Sequence, residues 1–238
     1  MKRFWLIPMV CLLAAPGACR QRTLDPVTQI IASPDFHPDS LGAVAYVGFS
    51  RGIADTEDRE LFEGLVEGQI MVGQPAFAVL PRDEVRRRAQ VEQEGDLLQE
   101  VRDFWRDSQK VDKFKTAELC AALGTSGILV GLIEEWTEFD TAQGSDQAPY
   151  ARVIASLEIY SASTGRRVWK ARTSHTVEGK TIPRDAEDSR SAALTEHERE
   201  LQRRSETLRP SQRDQQAPAI EGVASAVAAS LSQALQAR

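Results

Sequence analysis

The apolar positions fall into short segments of two kinds, and their order outlines a fold. Ala43-Val44-Ala45-Tyr46-Val47-Gly48-Phe49 is a nearly unbroken apolar run, the pattern of a strand buried on both faces. Asp55 and Thr56 are candidate N-caps for the next segment, in which Leu61, Phe62, Leu65, Val66 and Ile70 recur at helical spacing. Gly64 and Gly68 weaken that helix by roughly 1 kcal/mol each against Ala, so it depends on a sheet to hold it. Residues 76–80 read as a second buried strand, which Pro81 ends. Residues 83–123 are mostly helical. Leu97, Leu98, Val101, Phe104 and Trp105 share one face there. A following helix carries Leu119, Cys120 and Leu123, with Thr116 as N-cap and Gly124 as stop.

The second half is richer in strands. Residues 128–139 form a long strand, apolar on both faces at first and alternating later. In residues 150–160, Ala151, Val153, Ala155, Leu157 and Ile159 alternate with Arg152, Ser156 and Glu158, which predicts a half-buried antiparallel strand. Ser163-Thr164-Gly165 is a hairpin turn, and residues 167–177, marked by Trp169, return as the last strand. Residues 180–218 break the pattern, with dense charge of both signs and three prolines, and read as a charged, partly disordered excursion. Ile220, Val223, Ala224, Val227, Leu231 and Leu235 then line one face of a terminal helix. These elements predict an α+β fold with a mixed, mostly antiparallel sheet and helices packed mainly on one face. Residues 41–238 make one domain.

The N-terminus carries an address. Lys2 and Arg3 precede an apolar run over residues 4–15, the size of a signal-peptide core and too short to span a bilayer. Pro16-Gly17-Ala18 and then Cys19 follow, the layout of a bacterial lipoprotein whose cysteine becomes the acylated first residue, palmitate included. Pro16 stands where that layout usually has Leu, so simple export with cleavage after Ala18 stays open. Several acyl chains at about 0.8 kcal/mol per buried methylene make a lasting anchor. Arg20, where the sorting scheme of such lipoproteins would use Asp for retention, points to the periplasmic face of the outer membrane; a soluble periplasmic protein is the alternative. Residues 19–40, with Pro26, Pro34 and Pro38, read as a flexible tether reaching some 65–70 Å when extended.

Composition narrows the function. At 238 residues, 42% hydrophobic and 27% charged, the chain can bury a core. A net charge of −6 argues against a nucleic-acid binder, and removing Lys2 and Arg3 makes the mature chain more acidic still. Three cysteines exclude a disulfide scaffold, and three scattered histidines make neither a metal site nor a cofactor an expectation. Cys120 reads as a buried core thiol and His175 as a structural strand residue. Gly179-Lys180-Thr181 lacks the leading glycine and the helix of a phosphate loop, and Glu196-His197-Glu198 reads as a solvated helix face. Alternation puts Glu134 and Glu138 on one sheet face, without a cleft that would make them a catalytic pair. Trp136, Trp169 and Tyr160 read as strand residues covering a core. Arg82, Arg86, Arg87 and Arg88 form a local basic cluster that could meet a partner's acidic patch or anionic lipid.

The order of motifs resembles the superfamily of the curli-secretion lipoprotein, the penicillin-binding-protein activator lipoproteins and the amino-terminal domain of TolB. The residues that carry it are Val44-Ala45-Tyr46-Val47 and Phe77-Ala78-Val79-Leu80-Pro81-Arg82-Asp83-Glu84. Leu123-Gly124-Thr125-Ser126-Gly127-Ile128-Leu129-Val130-Gly131 follows, and then Leu157 to Trp169 with its Thr164-Gly165 turn. The resemblance covers roughly residues 42–178 and the terminal helix. Thr125-Ser126 stands where Ala-Asp is usual, and Ser161 where Asp is usual. It implies a non-enzymatic, membrane-anchored scaffold or regulator of a cell-envelope machine, contacting a protein of peptidoglycan synthesis or transport. The sheet edge or the Arg82–Arg88 helix would make the contact. The alternative is a self-associating, ring-forming subunit of a secretion or export assembly, although the candidate inserts, residues 83–123 and 180–218, show no ten-residue alternating lipid face to build a pore.

Overall fold

The computed structural model describes residues 25–34, 36–50, 56–141, 148–179 and 217–236. Cys19, the signal segment, Lys180-Thr181, Glu196-His197-Glu198 and nearly all of the charged excursion lie outside the described residues. The strands are Val27–Ala32 (β1), Ala43–Ser50 (β2), Ala78–Leu80 (β3), Gly127–Phe139 (β4), Tyr150–Ser161 (β5) and Arg167–Glu178 (β6). The helices are Thr56–Gly73 (α1), Arg82–Val91 (α2), Gly95–Ser108 (α3), Lys113–Leu123 (α4) and Ile220–Gln236 (α5). One six-stranded sheet runs in the order β1-β6-β5-β4-β2-β3. The β1–β6, β6–β5 and β5–β4 pairs are antiparallel, and β4–β2 and β2–β3 are parallel. The α+β class and the mixed, mostly antiparallel sheet are those expected.

The two-faced burial read from residues 43–49 divides the core. Val44 and Tyr46 point into a large cluster with Phe62, Val66 and Ile70 of α1 and the apolar stripe of α5. Ala45 and Val47 point the other way, toward Val85 of α2, Val101 and Trp105 of α3 and Leu119 of α4. The terminal helix also joins β5 and β6 to α1, where Ser232 Oγ donates to the Gln69 carbonyl at 2.8 Å. On the first face α5 runs along β6, β5 and β1 with α1 beside it, and the other face carries helices too. A second layer, α2 to α4, is added at the β2–β4 end.

Four local readings change. Residues 27–32, read as tether, are a strand. The segment is rich in β-branched residues, its register pairs Val27 with Ser174 and Ala32 with Trp169, and Thr28 Oγ1 lies 2.9 Å from Thr173 Oγ1. Pro26 and Pro34, read as linker residues, bracket it. The cap of α4 is Asp112, whose carboxylate accepts the N–H groups of Phe114 and Lys115 at 2.9 and 3.1 Å. Thr116 lies buried inside that helix, while Gly124 ends it at φ 68° as expected. In β5, Val153 to Ile159 is buried on both faces rather than one. Its inner polar residue Glu158 is held by Lys170 at 2.8 Å, Arg167 at 3.3 Å and the Tyr160 hydroxyl at 2.8 Å. Burial of a carboxylate is tolerable when paired in this way. Lastly, a register shift between Ile133 and Glu135 breaks the alternation of β4. Glu134 meets Arg172 at 2.7 Å, whereas Glu138 opposes Ala151 on the α5 side and accepts the Ile220 N–H at 3.2 Å. The two carboxylates do not share a face.

Candidate interaction cleft

A polar concavity sits where β2 leaves the sheet, under α1, α2 and α3. Its geometry begins at Gly48. The β2–β4 register shifts between Tyr46 and Gly48, and Gly48 adopts φ 115°, open to glycine but strained for other residues. A Cβ there would also lie 3.0 Å from Glu63 Oε1 and 3.5 Å from Arg102 Nη2. The shift frees the Phe49 N–H to donate to Glu63 Oε1 at 2.7 Å. Glu63 is buried on α1, and its other oxygen pairs with the Arg82 guanidinium. Arg82 opens α2 and turns back over the sheet. Its Nε donates to Glu67 at 2.9 Å, its backbone N–H donates to the same carboxylate at 2.8 Å, and its guanidinium stands 5.9 Å from the Tyr46 ring centroid. Burial, reinforced by the Glu63 charge, pushes the Tyr46 hydroxyl well above the usual phenol range.

Above this buried pair is a cleft of about 460 Å³ into which five arginines face: Arg59 from α1, Arg82 and Arg86 from α2, and Arg102 and Arg106 from α3. Four have carboxylate partners. Arg82 is held by Glu63 and Glu67, Arg86 lies 3.5 Å from Asp83, Arg106 lies 2.8 Å from Asp103, and Arg59 lies 3.9 Å from Glu60. Arg102 differs. It is half-buried, and among the described residues it has no carboxylate within 4.0 Å. Burial holds its proton affinity below the ordinary arginine range. Glu63 opposes this, while Arg86, Arg82 and Arg59 add to it.

The four arginines singled out in sequence do not form one patch. Arg82 and Arg86 belong to this cleft. Arg87 and Arg88 face the α4 side, along a hollow of about 340 Å³, where both pair with Glu84 at 2.7 Å. Arg88 also donates to the Leu123 carbonyl at 3.0 Å. The two guanidinium groups hold the Glu84 carboxyl down at about 2. Sequence reasoning missed Arg59, Arg102 and Arg106. A signal was present: Gln99, Arg102, Asp103 and Arg106 follow one polar face of α3, opposite Leu98, Val101 and Trp105.

The remaining candidates lie within the packed fold. Trp169 is in the main core, Trp136 packs edge-on against Phe62, and Tyr160 packs against Trp105. Cys120 is buried and free, its thiol pushed up by burial. His175 is buried in β6. Among the described residues no group of three or more metal-ligating side chains gathers, and no helix is long and apolar enough to cross a membrane.

The fold thus defines an open, mixed α+β sheet with a helical layer along one face and a shorter one at the β2–β4 end of the other. No protein-family model matches the chain, and no curated protein does. Among solved structures, it is similar to the PelC dodecamer from Paraburkholderia phytofirmans at 14% identity and TM-score 0.44, covering 90% of this chain and 99% of that one. It is also similar to lipoprotein GNA1162 from Neisseria meningitidis at 12% identity and TM-score 0.40, covering 64% and 94%. The C-terminal domain of LpoB from Salmonella enterica is similar at 12% identity and TM-score 0.29, covering 56% and 81%.

Proposed function

We propose that this protein is an acyl-anchored lipoprotein of the cell envelope that acts, without catalysis, as a scaffold or regulator by binding a protein partner. The observation that carries the reading is the N-terminal pattern of residues 1–19, ending at Cys19. The place of β1 in the sheet sharpens it. Only residues 20–26 separate Cys19 from the first strand, a span of at most about 25 Å. The domain therefore works close to the periplasmic face of the outer membrane rather than at the end of a long leash. A partner of peptidoglycan synthesis or transport would meet it there at high effective concentration. The cleft arginines and the outer face of α2 are the contact surfaces this reading favours.

A second reading, a self-associating subunit, is favoured by β1 itself. This edge strand leaves Val27 and Ile31 each 60% exposed, and an apolar strand edge is a template for pairing with another chain.

Anchoring is tested first. In cells fed an alkyne analogue of palmitate, the full-length protein is expected to take up label and to fractionate with the outer membrane. Cys19→Ser is expected to abolish the label and release the protein. Unlabelled protein in the soluble periplasmic fraction would leave simple export as the correct account.

A further inference from the structure

We infer that the cleft between α1, α2 and α3 binds a phosphate group, carried by a soluble molecule or by a lipid headgroup, with Arg102 as its central ligand. The inference goes beyond the anchored-scaffold reading and does not need it. A half-buried guanidinium normally has a carboxylate or a carbonyl to replace lost water, because an unpaired buried charge is costly. This protein follows that rule at Arg82, half-buried over Tyr46 and held by two carboxylates. Arg102 departs from it. Among the described residues its nearest charges include three other arginines, and Glu63, the carboxylate in reach, is already occupied by Arg82 and the Phe49 N–H. Arg59 repeats the pattern in part, since its Nε is buried without a hydrogen-bond partner among the described residues. Among the described residues, two helices thus present guanidinium groups toward one cleft without a close carboxylate for Arg102 or a hydrogen-bond partner for Arg59 Nε.

The chemistry of a group that fits the cleft follows from its donors. A lone carboxylate has two oxygens and is served by one guanidinium fork. Arginines converging from three helices suit a tetrahedral group with three or more acceptor oxygens and more than one negative charge. The volume of about 460 Å³ lies in the range of ordinary small-ligand sites. The rim carboxylates Glu60, Asp83 and Asp103 each have an arginine within 4.0 Å, so they frame the cleft without filling it with negative charge.

The test is calorimetric titration of full-length protein in detergent with inorganic pyrophosphate at constant ionic strength. Saturable binding is expected, weakened about tenfold or more by Arg102→Gln and unchanged by Arg87→Gln, which lies outside the cleft. Acetate is expected to give no saturable binding. If Arg102→Gln does not fold, the exposed Arg86→Gln is expected to weaken binding in the same direction. Absence of saturable binding up to about 10 mM, equal binding of acetate, or an Arg102→Gln variant that binds like the parent would overturn the inference. Nanodiscs decide the source. Displacement of pyrophosphate by phosphatidylglycerol discs but not phosphatidylcholine discs identifies a lipid headgroup, and no displacement identifies a soluble phosphate; either sustains the site.

Discussion

Replacing Glu63 with Ala is expected to remove about 3–5 kcal/mol of folding stability. The side chain is buried and does two jobs at once. It accepts the Phe49 N–H at the β2 irregularity, and it neutralises Arg82. Truncation leaves an orphaned backbone donor and a guanidinium that keeps only Glu67. Glu63→Gln keeps an acceptor for Phe49 but loses the charge, so about 1–3 kcal/mol is expected. Urea unfolding followed by circular dichroism measures both. An Ala variant within about 0.5 kcal/mol of the parent would mean that the pair contributes nothing net to the fold. Because Gly48 sits against the same carboxylate, any side chain at position 48 adds backbone strain to a contact of 3.0 Å.

The second large effect concerns where the domain begins. A soluble chain starting at residue 41, the boundary read from sequence, is expected to be less stable than one starting at residue 25 by roughly 2–4 kcal/mol, and to self-associate. It loses the six-residue β1–β6 ladder, whose hydrogen bonds contribute about 0.5–1.5 kcal/mol each. It also bares the β6 edge around Ala171 and Thr173. Paired urea melts and sedimentation decide it. Equal stability and a monomeric mass for the shorter chain would show that β1 is an accessory to the domain and that the longer tether is the correct picture.

Most of the fold was legible because strong periodicity marks most elements. The run at residues 43–49, the stripe Leu61 to Ile70, and the apolar face from Ile220 to Leu235 became β2, α1 and α5 almost residue for residue. What escaped were features whose cause lies elsewhere in the chain. β1 exposes most of its side chains and so carries no inside–outside alternation; only its pairing to β6 makes it a strand. The burial of Glu158 depends on Lys170 and Arg167 across the ladder, which no local pattern reports. The displacement of Glu134 from Glu138 comes from a one-residue shift in β4, invisible to strict alternation. The cleft was half legible. Arg82 and Arg86 stood out as part of a run, but the run wraps a helix, so Arg87 and Arg88 face away. Arg59 and Arg102 join only through tertiary packing.

Site-specific photo-crosslinking in living cells decides whether the protein binds a different protein of the envelope. A photoreactive residue replaces exposed Val91 or Phe114 on the helical layer, or Ile31 on β1, and the adducts are purified through the full-length protein. The expected result is one discrete adduct with a second envelope protein from the helical positions, identified by mass spectrometry. Adducts of the protein only with itself, in ladders of fixed size and strongest from β1, would contradict the scaffold reading and establish a self-assembling subunit instead.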